Sequence, residues 1–470
     1  GGPGTDGPAP DPDAAHGDPA AGAPAADGPA TGMPAAEGPA SSAPVVEDSA
    51  ADDPADPSPQ ILVNTAPVTR RGVPAYSAAP ARTGQEAVVV IRAGTRTRIE
   101  NEALHAVLDE TGALISLTDR VSGREVIAPG ESGALLQLHR DTPNAWDAWD
   151  IDEFYRHVVR DLDAPTAVDV SEAGGGVRVS FTYSTSLEAG APTDGVTGAG
   201  SRIVKTFELR PGDESLQITL DIDWREHKKA LKLAFPLDLR AAHLSSEIQF
   251  GHIDRPIPVN TSWDHARFET CAHRWVHVAE GDHGVALAND STYGHDVLRT
   301  VREDDGGTTT TARLTLLRAP EYPDPGADRG SYRLRVAVRP AAGVREAIEE
   351  GYRLNLPERS VPAAAAEQIA GPLLSVDAPS VRVETIKLAE DRSGDLVARM
   401  YESEGTRAQA TVSLDPALAR GEVTVVDLLE RPFGPGAPAF RSAVERDEDG
   451  GARLFFRPFE IKTLRISRAR

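Results

Sequence analysis

From residue 60 onward apolar and polar residues alternate in short runs, and this alternation predicts strands. ILV ahead of Asn64, VVVI at 88–91, the stretch RIENEALHAVLDETGALISLTDRVSGREVI at 98–127 and VRVSFTY at 177–183 are β-branched or period-two segments. Gly, Asp and Pro turn signals punctuate them about every ten residues. Helical periodicity is confined to Val344–Tyr352 and a second short segment, 363–369. The expected fold is therefore all-β, with a large antiparallel β-sandwich over 60–360, a Pro- and Ala-rich joint, and a smaller C-terminal β-sandwich over 373–470. In the smaller unit VRVETIKLAE, DLVARMYESEG, EVTVVDLLE and FEIKTLRIS are the regularly spaced strands.

Residues 1–59 break the pattern. They are mostly Ala, Pro, Gly, Asp and Glu in loose repeats such as DGPA, GAPA and EGPA, with no Phe, Trp or Tyr, no Lys and no Arg. Such a tract cannot bury enough apolar surface to offset its ordering entropy, so it is expected to be a disordered acidic linker. Its 11 acids account for almost half of the net charge of −23. That charge argues against nucleic acid and against an anionic membrane surface as partners. No run approaches the roughly 18 apolar residues of a membrane span. The chain holds one cysteine, Cys271, so no disulfide forms within it and a cytoplasmic location is expected. It opens GGPG without an initiator methionine, which predicts that the protein continues upstream of Gly1.

Candidate chemistry concentrates in NAWDAWDIDEFY at 144–155, where two tryptophans sit among Asp147, Asp150, Asp152 and Glu153. Indole faces pack on the apolar face of a pyranose and carboxylates accept its hydroxyl hydrogens, which is what a sugar subsite requires. The competing reading is a buried Trp anchoring a loop whose acids face water. A metal reading of Cys271, His273 and His277 fails on geometry: on one strand the two histidines lie about 13 Å apart, so core-facing side chains are expected instead. No phosphate-binding Gly loop, G-x-S-x-G elbow or H-E-x-x-H motif is present.

The ordered series NEALHAVLDETGALISLTDRVSGREV, DTPNAWDAWDIDEFY, DWREHKKALKLAFP, WDHARFETCAHRWVHVAEGDHGVALANDSTYGHD, LTLLRAPEYPDPGADRG and KLAEDRSGDLVARMYESEG resembles the C-terminal half of the glycoside hydrolase family 38 α-mannosidases. The similarity runs from about Ile61 to Ser467, and DAWDID resembles the bacterial, cytosolic and vacuolar branch. The resemblance implies a mutarotase-like supersandwich. It also implies a retaining mannosidase acting on mannose-containing oligosaccharides, with a divalent metal, usually zinc, on the sugar's vicinal hydroxyls. In the family the nucleophile and metal ligands belong to an N-terminal barrel and helical bundle. No catalytic or metal residue is therefore expected in this chain, and the missing domain is its expected partner.

What the resemblance leaves to this chain is a pocket wall, assigned to Trp146, Asp147, Trp149, Asp150, Tyr155, Arg318 and Asp328. Arg318 has a plainer reading, pairing with Asp324 or Asp328. Trp263, Asp264, Arg267, Glu269 and Trp275 are expected to hold the sandwich to the absent domain, and self-association through the same face is expected without it. Asp290 and Tyr293 are read as turn and core residues. Ser331 and Tyr332 stand where the family has Gly-x-His partners, and Ala341 follows Pro340 where it has Pro-His, so no polar role is expected there. The alternative functions are a non-catalytic sugar-binding or scaffold module and, on fold analogy, a mutarotase-like epimerase.

Overall fold

The computed structural model describes residues 60–80, 87–173, 175–186, 198–362, 371–416, 421–438, 443–446 and 451–468, all of which lie in one compact unit, Ala55–Arg470. The expected linker over 1–59 and the expected helix over 363–369 fall outside the described residues.

The structure is nearly all β. A nine-stranded antiparallel sheet runs Ala167–Ala173, Gly176–Ser184, Arg202–Leu209, Leu216–Trp224, Gly330–Arg339, His283–Asn289, Trp275–Glu280, His243–Ile248 and Gly251–Pro256. Facing it is a six-stranded sheet in the order Thr270–Cys271, Gly294–Val301, Thr308–Arg318, Lys229–Leu237, Leu135–Arg140 and Val159–Asp161. A five-stranded meander spans Val89–Ala93 to Arg124–Glu125. The three share one apolar core, to which Phe181, Phe207 and Leu220 come from the first sheet, Leu138, Phe235 and Leu314 from the second, and Ile99, Leu104 and Leu117 from the meander. Because a strand's side chains alternate, Leu104–Leu108 buries Leu104, Ala106 and Leu108 and leaves His105 and Val107 half-buried.

Two four-stranded sheets make the smaller sandwich around Met400, Val412, Phe456 and Leu464. The opening strand Gln60–Asn64 pairs with Ser77–Pro80 and with Arg359–Pro362, so it joins a separate three-stranded sheet. The longest helix, Val344–Asn355, covers the expected helical segment. Its inner face packs Ala347, Ile348 and Tyr352 on Trp275, Ala286 and Ala337.

Three expectations around the histidines are corrected. Residues 270–280 do not form one strand, because a bend at 272–274 separates Thr270–Cys271 from Trp275–Glu280. Cys271 is consequently exposed, whereas His277 is buried with Nε2 2.8 Å from the Ala342 carbonyl oxygen. Tyr293 is half exposed beside His273 and not in the core. Trp275, expected at an interface, is 1% exposed beneath the long helix, since the bend turns its indole inward.

One inward position carries a charge. On Arg202–Leu209 the buried residues are Ile203, Lys205, Phe207 and Leu209. Lys205 Nζ donates to the Ala134 carbonyl at 2.6 Å and lies 5.2 Å and 5.3 Å from the Tyr183 and Phe207 ring centres. Burial, only partly opposed by the Asp109 charge, pushes its ammonium down to about 7. The unfolded chain, in which Lys205 titrates near 10.5, then binds more protons between these two values, so stability should rise with pH through that window. Denaturation curves over this range should show the rise in the wild type and a flatter dependence in Lys205→Met. An unchanged slope in the variant would locate the effect elsewhere.

Candidate functional site

Three loops leave the six-stranded sheet at one end. Register fixes this: Lys229 pairs with Arg140, and Ala230 with both His139 and Arg318, so residues 141–158, 225–228 and 319–329 start together. Each loop contains a non-glycine residue in the left-handed region, namely Trp146 (φ 59°), Lys228 (φ 48°) and Asp328 (φ 59°). Such backbone is disfavoured for residues with a Cβ and persists only where surrounding bonds fix it.

Those bonds are largely carboxylate-to-backbone. Asp147 Oδ2 accepts the N–H groups of Glu321 at 2.7 Å and Tyr322 at 3.1 Å, tying the first loop to the third. Asp152 Oδ2 accepts the N–H of Asn144 at 2.6 Å, and the Trp146 carbonyl accepts those of Trp149 and Asp150 at 2.7 and 2.8 Å. Arg318 corrects its expected pairing. Its Nε donates to Asp141 at 2.6 Å and its Nη2 to the Asp147 carbonyl at 3.1 Å, while neither Asp324 nor Asp328 bonds it. Burial raises the Asp141 carboxyl, opposed by its bond to Arg318. Burial likewise raises Asp328, opposed by the nearby Arg318 charge. The outcome is a fixed scaffold from which Trp146 and Trp149, each 68% exposed, and Tyr322, 65% exposed, project. Asp150 keeps one carboxylate oxygen on the Ile151 N–H and is otherwise exposed.

Tyr155 is not part of this surface. It is 1% exposed, at the centre of a buried ion cluster. Its hydroxyl donates to Glu269 and lies 3.3 Å from Asp296 Oδ1. Lys232 Nζ bonds Glu269 and, at 2.8 Å, Asp296. Arg313 Nη2 reaches Asp296 Oδ2 at 2.6 Å and Arg156 Nη2 does so at 3.3 Å. Burial alone would raise the Asp296 carboxyl, but Lys232 and Arg313 outweigh it and hold it well below the usual range. Burial and the same two cations depress His139, which packs edge-on to Tyr155 at 5.2 Å, to about 4. Glu269, expected at an interface, is therefore an internal counter-ion.

Trp263 and Asp264 lie on the short helix Ser262–His265, capped through Thr261 and Asp264. His265 Nε2 sits 3.0 Å from Glu153 Oε2, which places this helix beside the Trp/Asp loop. Trp263 is 75% exposed and Arg267 is exposed at the following turn. Sequence reasoning missed Lys232, Asp296, Arg313 and Asp141. The available signal was a charge at an inward position of an apolar strand, as in KKALKLAFP. Among the described residues no three His, Cys, Asp or Glu side chains come together in a way that could hold a metal ion.

A division of labour follows between positioning and exposed groups. Arg318→Met should cost about 3–5 kcal/mol, because it leaves Asp141 buried and unpaired, whereas Trp149→Ala should stay within about 0.5 kcal/mol of wild type. Chemical denaturation of the two variants checks both values.

The residues of this end fall within known sequence families. The family model described as glycosyl hydrolases family 38 C-terminal domain matches residues 99–326, and the one described as glycosyl hydrolases family 38 C-terminal beta sandwich domain matches 380–464. Alpha-mannosidase 2C1 of Homo sapiens is 33% identical over 397 residues, covering 83% of this chain and 35% of that protein. Alpha-mannosidase G of Dictyostelium discoideum is 30% identical, with 78% and 32% covered. The chain thus spans about a third of the length of these relatives. In fold it is similar to the crystal structure of an alpha-mannosidase from Enterococcus faecalis V583, with TM-score 0.62 at 16% identity, over 85% of this chain and 46% of that one. With both of the family's C-terminal domain models matched in order, the chain belongs to glycoside hydrolase family 38, of which it carries the C-terminal β region.

Proposed function

We propose that this chain is the C-terminal β region of a retaining α-mannosidase, which removes terminal α-mannosyl residues from oligosaccharides once joined to its catalytic domain. The observation that carries the reading is the match to both family 38 C-terminal domains in order, together with relatives that are α-mannosidases. The resemblance assigns the nucleophile to an N-terminal barrel, together with a zinc or other divalent ion that would polarise the sugar's hydroxyls. This chain's share is the wall of the sugar pocket.

In that wall Trp149 and Trp146 offer indole faces to the apolar side of a pyranose, and Asp150 offers a carboxylate to a hydroxyl. Asp147 and Arg318 are positioning residues, since the Asp147 carboxylate is spent on the backbone of the third loop and the Arg318 guanidinium on the Asp147 carbonyl and on Asp141. Asp328 adds a carboxylate at the third loop. Trp263, Asp264 and Arg267, next to the wall, form the contact to the catalytic domain. Holding these groups on hydrogen-bonded loops spares the enzyme the cost of ordering them when substrate arrives.

Two experiments test the reading. The chain alone, given an aryl α-mannoside and zinc, should show no turnover above the uncatalysed rate. Turnover abolished by Asp150→Asn would relocate the active site into this chain. In the longer enzyme Trp149→Ala should lower kcat/KM by an amount corresponding to about 1–3 kcal/mol with thermal stability nearly unchanged. Unaltered kinetics there, alongside mannose binding by the chain alone, would favour a sugar-binding module.

A further inference from the structure

Beside the Trp/Asp loop a cleft of about 70 Å³ opens between the edge strand Gly251–Pro256, the helix Ser262–His265 and the start of Gly294–Val301. Leu244, Ile257, Phe268 and Leu298 give it an apolar part, and Asp296 is among the charged side chains that line the rest. The acids that face it are already engaged. Asp296 is held by Lys232, Arg313 and Arg156, Asp264 accepts from Thr261 in the helix cap, and Glu153 faces His265. Around Asp296 three cations, Lys232, Arg313 and Arg156, stand against the two carboxylates of Asp296 and Glu269.

Arg255 also lines the cleft. Among the described residues its guanidinium makes no hydrogen bond and no ion pair, and its Nη1 is buried without a partner. A buried guanidinium N–H left unpaired is costly, and native structures satisfy nearly all such groups. The planar fork of Arg matches a carboxylate. The space admits a group of the size of a carboxymethyl or carboxyethyl side chain, with the apolar part for its stem. Exposed Val259 lines the opening and exposed Trp263 sits on the adjoining helix Ser262–His265, so what enters comes with a surface that covers them.

We propose that Arg255 is the anchor of a carboxylate-binding cleft, and that its occupant is an Asp or Glu side chain projecting from the catalytic domain. The identity of the occupant rests on the proposed function, because relatives of this chain carry about two thirds of their length outside the matched region. The lining supports it: Arg156, Asp296, Asp264 and Glu153 are already engaged with partners, which leaves the Arg255 guanidinium to take an incoming carboxylate. The Glu153–His265 contact joins the cleft to the Trp/Asp loop, so the inserted carboxylate would register the two domains next to the sugar pocket.

The test uses acetate as the probe. Melting of the chain is followed in sodium acetate, sodium sulfate and sodium chloride at one ionic strength and neutral pH, for wild type, Arg255→Met and Arg255→Lys. Comparing variant with wild type in each salt cancels general salt effects. Acetate should raise the melting temperature of the wild type by a few degrees relative to chloride, and this gain should vanish in Arg255→Met and shrink in Arg255→Lys. Absence of an Arg255-dependent gain, or a gain in sulfate without one in acetate, would overturn the carboxylate cleft. In the longer enzyme Arg255→Met should speed limited proteolysis between the two domains, and an unchanged rate would overturn the assignment of the occupant. If that enzyme proves not to be a mannosidase, the proposed activity fails while the acetate result on the chain stands.

Discussion

The candidate site rests on the contact between Lys232 and the two carboxylates of Asp296 and Glu269. Removing three cations and two anions from water is expensive, and the cluster persists because every carboxylate is bonded to a cation or hydroxyl and Asp296 is shared among several donors. Tyr155 is bound into it, and Tyr155 ends the Trp/Asp loop. The loop is thus fixed at one end by a buried hydroxyl and at the other by the Asp141–Arg318 pair, with Asp147 clamping its middle to the third loop. Acids that resemble substrate ligands in the sequence are in several cases the means by which the exposed tryptophans are held.

A second set of contacts ties the small sandwich to the large one. The helix Val344–Asn355 lies on the back of the nine-stranded sheet and presents Tyr352, whose hydroxyl bonds Glu384 and lies 3.1 Å from that of Tyr401. The Arg274 guanidinium stacks 4.0 Å from the Tyr352 ring centre and is clamped by Glu247. Phe250 meets Tyr401 edge-on, and His252 meets Phe459. Aromatic rings and ion pairs at this density resemble the inside of a domain more than a mobile joint, so the two sandwiches behave as one body.

The all-β character and the helix beginning at Val344 could be read from the sequence, because alternation, helical periodicity and turn residues are local signals. Partner choice could not. Read along the sequence, the ion-pair alternative for Arg318 offers only its neighbours Asp324 and Asp328, yet it pairs with Asp141, which only the register between Thr308–Arg318, Lys229–Leu237 and Leu135–Arg140 brings near. Trp275 and Glu269 lie in one apparent motif with Trp263, but a bend at 272–274 sends Trp275 into the core, and Glu269 is claimed by Lys232. The charges at Lys232 and Lys205 were visible as breaks in an apolar pattern. Whether such a break marks a buried ion pair, as at Lys232, or an ammonium bonded to a carbonyl, as at Lys205, depends on what the facing sheet supplies.

The three left-handed residues at Trp146, Lys228 and Asp328 have a kinetic consequence. Loops already held in their final backbone conformation have little left to order on encounter, so a partner meets a preformed surface and association follows rigid-body rules. The encounter rate is then set by orientation and by long-range charge, and salt acts on it directly. Substitutions that loosen a loop would appear chiefly as a slower productive encounter, and those that strip an exposed ring as a faster departure.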